Sequence, residues 1–174
     1  MKNLIIPLLF CILIVSCKET NELEEQYADW NLKNKEYFNQ MKDSSDYVLY
    51  KIPVNRGGYT FYYKTLSEGI QTPENITDTS MVKFNFRGRF ISGIVFDETY
   101  TESSVLNDST AKPATYQLNT LVKGIFENLI LMKIGEVRRI VLPQELGYGV
   151  YTMTDKMPPY SVTIWDIQLV EILK

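Results

Sequence analysis

The side chains best suited to chemistry in this sequence are a carboxylate, a phenol and several aromatic rings, because the chain contains no histidine. Histidine is the commonest general base and metal ligand, so its absence argues against mechanisms that need those roles. Asp97 directly follows the apolar run from Ile94 to Phe96, and a carboxylate is costly to bury without a partner or a purpose. Tyr148 lies between two glycines, where it either serves a site or only forms part of a turn. Any site built from these residues must work without an imidazole.

The composition excludes several classes of function. The net charge is −3 and no stripe of Lys and Arg follows the chain, so we expect no nucleic-acid partner. Both cysteines, Cys11 and Cys17, lie near the N-terminus, which leaves the rest of the chain without a disulfide or a thiolate site. No nucleotide-binding glycine loop or zinc motif is present, and we expect neither a cofactor nor a metal ion. Aromatic residues make up 13% of the chain, enough to line a pocket with rings.

The first 16 residues are typical of a signal peptide. A positive start is followed by the apolar run from Leu4 to Val15, which is too short to span a bilayer core of ~30 Å as a helix. The run ends in Ile14-Val-Ser-Cys17, which resembles the bacterial lipobox. That resemblance implies cleavage before Cys17 and its acylation, and thus a lipid anchor to a membrane of the cell envelope, facing the periplasm. A plain secretory signal with an incidental cysteine is the alternative.

Residues 17–46 are predicted to comprise the acylated cysteine, a polar tether and an N-terminal helix. The helix is expected from residue 22 to residue 41, because apolar residues recur on one face with Asn34 interrupting them. The residues on this face are Leu23, Tyr27, Trp30, Tyr37 and Met41. The helix could serve dimerisation or partner binding, or it could fold back on the domain, and we favour the second interpretation.

Residues 47–174 are predicted to form one α+β domain. Two segments rich in β-formers, Tyr47–Val54 and Tyr59–Leu66, flank Asn55-Arg-Gly-Gly58 and indicate a hairpin. Strict alternation over Met81–Gly88 indicates a half-buried strand, and two further strands are expected over 136–142 and 161–173. A helical pattern follows only over 118–132. The expected architecture is an antiparallel sheet curled around one short helix, with the N-terminal helix and the hairpin as an extension.

A series of motifs in this domain resembles the FKBP-type peptidyl-prolyl cis-trans isomerases. The motifs run in order from residue 82 to residue 173: Val82-Lys-Phe-Asn-Phe-Arg-Gly88, Gly93-Ile-Val-Phe96-Asp97, Lys112-Pro113, Leu121-Val-Lys-Gly124, Met132-Lys-Ile-Gly135, Leu142-Pro-Gln-Glu-Leu-Gly-Tyr-Gly149, Met157-Pro-Pro159 and Ser161-Val-Thr-Ile-Trp165-Asp-Ile. Each motif alone is weak evidence, whereas all of them in this order are specific to that family.

The resemblance implies a five-stranded sheet, an apolar pocket between sheet and helix, and roles for the matching residues. The expected catalytic residues are Asp97, Tyr148, Phe96 and Trp165, and the expected substrate-binding residues are Phe86, Tyr116, Leu121, Val122, Ile125 and Met157. Without the resemblance, the apolar members of this set could equally belong to the core alone.

Three positions depart from the family pattern. Phe86 stands where a pocket tyrosine is usual, so the hydroxyl that would contact Asp97 is missing. Ile125 replaces the usual tryptophan of the pocket floor, and Ala114 replaces an aromatic residue at the pocket edge. These changes argue against tight macrolide binding more than against activity, because Asp97 and Tyr148 remain.

Two functions are consistent with these observations. The first is an envelope-anchored isomerase that acts on proline-containing exported polypeptides. The second is a catalytically weak FKBP-like chaperone or structural binding module of an envelope complex. The whole chain also resembles the gliding-motility-associated peptidyl-prolyl isomerase lipoproteins of Bacteroidetes, which implies gliding-motility proteins as partners.

Overall fold

The computed structural model describes residues 22–70, 76–150 and 157–173. The predicted signal peptide and the predicted lipidation site, Cys17, lie outside the described residues. No helix in the described ranges is both long enough and apolar enough to cross a membrane.

Two helices and seven strands form the described fold. They are, in chain order, α1 (Ala28–Gln40), β1 (Val48–Lys51), β2 (Thr60–Ser67), β3 (Met81–Phe90), β4 (Val95–Glu98), β5 (Ala114–Gln117), α2 (Lys123–Leu129), β6 (Val137–Leu142) and β7 (Thr163–Leu173). Residues 22–26 are also helical, with a turn at Tyr27 before α1. The predicted N-terminal helix, hairpin and central strands are therefore confirmed.

All strand pairs are antiparallel, in the order β1-β2-β6-β7-β3-β4, with β5 paired to β3. The sheet thus has seven described strands rather than five. Hairpin strand β1 extends one edge, and the short strands β4 and β5 both pair with β3. The sequence did not predict β4 and β5. Each has only four residues, and neither lies in a longer segment of β-formers or alternating residues that would reveal it.

The inner face of the sheet holds the main core. Along β7, Trp165, Ile167 and Leu169 alternate onto this face, and each is at most 2% exposed. They pack in one cluster with Ile125 and Leu129 of α2. Successive strand residues point to opposite faces, so these three side chains share the inner face. The helix that packs against them, α2, has only seven residues.

The outer face is covered by α1. Tyr37 and Phe38 of α1, with Met41 just after it, pack against a second buried cluster that includes Tyr62, Val141 and Ile164. This places the N-terminal helix against β2, β6 and β7. The structure therefore supports the interpretation in which this helix folds back on the domain. Because both faces of β7 are covered, the strand is apolar along most of its length.

A buried charge cluster joins three strands on this outer face. Asp166 of β7 accepts hydrogen bonds from Arg139 of β6, with Nε–Oδ1 at 2.6 Å and Nη2–Oδ2 at 2.9 Å, and from Arg89 of β3 at 3.0 Å. Burial alone would raise the pKa of Asp166, but the two arginines outweigh it and hold that pKa below its ordinary value. The cluster therefore stabilises the fold while Asp166 is ionised.

Replacing Asp166 with asparagine should lower the free energy of unfolding by about 2 kcal/mol at pH 7, because three charge-assisted hydrogen bonds from two arginines lose their anion. Urea denaturation of wild type and variant measures the difference. The stabilisation is present above the pKa of an unfolded aspartate, ~3.9, and is lost as the pH falls through the lower pKa of the folded state. The two proteins should therefore converge in stability in acid. A difference that stays constant with pH would exclude this role.

Candidate active site

A small apolar cavity opens between the inner face of the sheet and α2. Its volume is about 130 Å³, below the ~300–1,000 Å³ that is usual for sites holding drug-sized ligands. The cavity is lined by Phe84, Phe86, Asp97, Tyr116, Leu121, Ile125, Tyr148 and Trp165. A space of this size and lining suits one small, largely apolar ring with a polar group at the mouth.

The sheet brings the two polar residues of this lining together from distant parts of the chain. Asp97 lies on the short strand β4, directly opposite Gly88 of β3, and it is exposed at the rim. Tyr148 follows the 3₁₀ turn Gln144–Leu146 that ends β6. Gly149 next to it has φ +67°, a left-handed conformation that glycine adopts without strain. The loop can therefore turn back and leave the tyrosine ring at the cavity.

Aromatic rings form one wall of the site. The ring of Phe96 lies edge-on to Trp165, with centroids 5.1 Å apart, and to Tyr148, at 6.2 Å. A Cβ on Gly88 would come within 2.7 Å of both Phe96 and Trp165, so only glycine allows these rings to meet there. The indole N–H of Trp165 donates to Thr163 Oγ1 at 3.0 Å, which satisfies its polar atom without using the cavity.

The electrostatics of the site follow from burial among these rings. Desolvation raises the pKa of Asp97, and the neighbouring charge of Glu98 adds to this effect, against one backbone hydrogen bond that lowers it. Desolvation also raises the pKa of Tyr148 to about 12, with Asp97 as the next contributor. The Tyr148 hydroxyl is therefore protonated at neutral pH and can donate a hydrogen bond. Among the residues that the structure describes, Asp97 is the only charged one that lines the cavity.

Seven of the ten predicted site residues line this cavity, and three do not. Phe96 packs behind Trp165 in the wall. Val122 is the N-cap residue of α2, and Met157 is buried but outside the lining.

Phe84 lines the cavity although it was not among the predicted site residues. Its ring lies between Phe86, at 5.4 Å, and Tyr116, at 5.7 Å. The alternation of β3 places Phe84 and Phe86 on the same face, so this pattern could have indicated it.

The departures from the family pattern have visible consequences in the lining. Phe86 offers Asp97 no hydroxyl, and no side chain in the described ranges forms a hydrogen bond or ion pair with that carboxylate. Ala114 of β5 pairs with Phe84, and the exposed ring of Tyr116 supplies the aromatic edge instead. Ile125 is 4% exposed and forms the floor.

A second, larger cleft of about 400 Å³ lies between α1, the hairpin and the segment 143–145. Its lining contains neither Asp97 nor Tyr148. No group of three or more acidic or cysteine side chains in the described part of the chain is close enough to hold a metal ion. The cavity beside α2 is therefore the stronger candidate for an active site.

Comparison with known proteins places this chain in a family. Residues 72–170 match the family model of the FKBP-type peptidyl-prolyl cis-trans isomerases. Because the match covers more than half of the chain, the chain belongs to this family of enzymes. The family predicted from the motifs is thereby confirmed.

Individual relatives agree with this assignment. The chain is 35% identical over 95 residues to the FKBP-type 22 kDa peptidyl-prolyl cis-trans isomerase of Escherichia coli, covering 55% of this chain and 42% of that protein. It is 30% identical over 112 residues to the outer membrane protein MIP of Legionella longbeachae, covering 64% and 44%. The crystal structure of FkpA from Escherichia coli superposes with a TM-score of 0.67 at 25% identity, covering 91% of this chain and 66% of that one. The chain spans less than half the length of the first two proteins.

Replacing Ile125 with tryptophan should destabilise the domain by about 1–3 kcal/mol, because a second indole must share a cavity of about 130 Å³ with Trp165. The combined change Ile125→Trp and Trp165→Phe returns most of the volume and should recover most of that loss. Thermal melting of the two variants and wild type makes the comparison. A single variant as stable as wild type that binds proline peptides more tightly would show that the floor has spare room.

Proposed function

We propose that this protein catalyses cis–trans isomerisation of peptide bonds preceding proline in exported polypeptides. The observation that carries the proposal is the small aromatic cavity with one carboxylate and one protonated phenol at its mouth. A prolyl ring is apolar and compact, and the carbonyls on either side of it are polar, so its shape and polarity complement this cavity.

The chemistry requires no acid, base or nucleophile. Amide resonance gives the bond before proline a rotation barrier of ~18–20 kcal/mol, whereas the cis and trans forms differ by only ~0.5–1 kcal/mol. The twisted amide has less charge separation than the planar one. A site that excludes water removes the solvent that stabilises the planar form, and contacts made only with the twisted form lower the barrier. The absence of histidine from this chain is therefore compatible with catalysis of this reaction.

The two polar residues have distinct roles in this mechanism. The Tyr148 hydroxyl donates a hydrogen bond to a substrate carbonyl and holds the chain on one side of the bond. Asp97, whose carboxylate has no side-chain partner among the described residues, interacts with the carbonyl carbon as the amide twists. Trp165 and Phe86 pack against the prolyl ring, with Ile125 beneath it.

A binding module with weak catalysis is the second candidate, and Ala114 and Ile125 favour it. Both are smaller than the aromatic residues that the family pattern has at these positions, so the ring of a substrate proline has fewer partners. In this case the protein would bind proline-containing segments without accelerating rotation about the peptide bond before proline.

We further propose that the protein acts in the cell envelope through a lipid anchor at Cys17. The apolar run that ends at this cysteine supports the anchor, and so does similarity to the outer membrane protein MIP of Legionella longbeachae. The resemblance of the whole chain to the gliding-motility lipoprotein GldI supports clients among gliding-motility proteins.

Substituting Asp97 with asparagine should reduce kcat/KM about tenfold, equivalent to roughly 1.4 kcal/mol of transition-state stabilisation. A protease-coupled assay on an Ala-Leu-Pro-Phe peptide measures the rate. Wild-type kcat/KM should fall in acid as Asp97 is protonated, at a pH above that expected for an ordinary aspartate because its pKa is raised, whereas the variant should lack this step.

Glu98→Gln is the matched control for the rate at neutral pH, since the adjacent carboxylate pairs with Arg87 at 2.8 Å and does not line the cavity. Because the charge of Glu98 also raises the pKa of Asp97, this control should keep the acid step and move it to lower pH. Equal turnover in wild type and Asp97→Asn, at equal melting temperature, would reduce Asp97 to a structural role. No turnover by wild type, together with measurable peptide binding, would favour the binding module.

A Cys17→Ser variant should lose lipidation and leave the membrane fraction, because serine provides no thiol for the acyl transfer. Palmitate labelling of cells that express the variant or wild type provides the measurement, with Cys11→Ser as the control that keeps the acylation site. Labelling that persists in Cys17→Ser would contradict the anchor.

A further inference from the structure

Helix α1 precedes the segment that matches the family, residues 72–170, yet it makes buried polar contacts with that segment. Asn34 is 1% exposed, although it interrupts an otherwise apolar helix face. Its Nδ2 donates to the carbonyl of Trp30 at 2.8 Å, and its Oδ1 accepts from the backbone N–H of Val162 at 2.7 Å. A side chain in the helix therefore satisfies a buried backbone donor just before β7.

Trp30 makes a second polar contact with the same segment. Its indole N–H donates to Ser161 Oγ at 3.1 Å, and Ser161 Oγ donates to the carbonyl of Pro158 at 2.7 Å. The helix is thus hydrogen-bonded to two consecutive residues, Ser161 and Val162, in the segment that leads from Pro158 to β7.

The residue before these two is in an unusual conformation. Tyr160 has φ 62°, the only positive φ of a non-glycine residue among those described. A left-handed backbone conformation is unfavourable for a residue with a bulky side chain, and it persists only where the surrounding structure holds it. The N–H of Tyr160 donates to the carbonyl of Gly149 at 3.0 Å, and Gly149 follows the cavity residue Tyr148. The hydrogen bonds from α1 therefore hold a strained residue that in turn holds the loop of Tyr148.

A chain of rings provides a second connection between α1 and the cavity. Trp30 lies edge-on to Phe90, with centroids 6.1 Å apart, and Phe90 lies 4.8 Å from Phe96. Phe96 in turn contacts the ring of Tyr148 at 6.2 Å. The backbone connection ends at Gly149 and the aromatic connection ends at Tyr148, so both reach the same loop.

We propose that Asn34 and Trp30 of the N-terminal helix are positioning residues for the isomerase site, which they act on through Tyr148. This inference rests on the proposed function, because it assigns these residues an effect on catalysis at that cavity. Neither residue lines the cavity, so their effect is on where the Tyr148 hydroxyl lies rather than on any contact with substrate. Small displacements of such a group are costly, since a shift of about 1 Å can reduce a rate by up to ~100-fold.

The test compares Asn34→Ala with Asn39→Ala, an exposed asparagine on the same helix. At a temperature where both variants are fully folded, Asn34→Ala should lower kcat/KM for a proline tetrapeptide on the order of tenfold, and Asn39→Ala should leave it unchanged. Trp30→Phe keeps a ring beside Phe90 but removes the donor to Ser161, and it should give a smaller decrease. This second variant keeps the test available if Asn34→Ala is poorly folded.

A double-mutant cycle separates positioning from general loss of stability. In a Tyr148→Phe background, Asn34→Ala should have little further effect, because the hydroxyl that it positions is already absent. The amide resonances of Tyr148 and Gly149 should shift in Asn34→Ala and not in Asn39→Ala. Additive effects, or a lower melting temperature with unchanged kcat/KM and unchanged resonances, would overturn the proposal.

Failure of the proposed function gives a different result. If wild type shows no turnover, the isomerase assignment fails, and the resonances of Tyr148 and Gly149 still report whether α1 positions the loop. If wild type turns over substrate and Asn34→Ala matches it, only the positioning role fails.

Discussion

The alternation of side chains along β7 is the constraint on which the rest of the structure depends. This strand lies between β6 and β3, so it has no solvent-exposed edge over most of its length. Its inward residues, including Trp165, form the core and a cavity wall, and its outward residues include Ile164 and Asp166. The register of β7 therefore places the cavity on one face of the sheet. It places the ion cluster and the surface against which α1 packs on the other face. A shift by one residue would exchange all of them.

In the proposed mechanism the site lowers the rotation barrier by excluding water rather than by supplying a reactive group. Four aromatic lining residues and two aliphatic ones surround the cavity together with Asp97 and Tyr148. Desolvation beside these rings, partial for Asp97 at the exposed rim, raises the pKa of both polar residues. It keeps the phenol protonated and leaves the carboxylate less solvated than an ordinary surface aspartate. Substitution of the family tyrosine by Phe86 increases this effect, because it removes a hydroxyl that would have been a partner for Asp97.

Patterns within single segments of the sequence predicted the strands and helices whose side chains follow a regular alternation or period. The alternation of β3 and the apolar character of β7 were visible in the sequence, and ordered motifs located Asp97, Tyr148 and Trp165 at one cavity. Asn34 could not be interpreted in this way, because its partner is a backbone N–H 128 residues away. In the sequence Asn34 only interrupts the helix face, whereas in the structure it hydrogen-bonds the helix to the segment before β7. Only the motifs indicated Met157 and Val122 as lining residues, and neither lines the cavity in the structure.

Exchange spectroscopy by NMR tests most directly whether this cavity accelerates rotation about the prolyl bond. The substrate is a tetrapeptide with separate cis and trans proline signals. Catalytic amounts of the protein should produce exchange between these signals on a timescale where the free peptide, which interconverts over tens to hundreds of seconds, shows none. Exchange should be reduced in a Tyr148→Phe variant that retains the fold. Cis and trans signals that do not exchange in the presence of folded wild-type protein would contradict the claim that this cavity accelerates rotation about the prolyl bond.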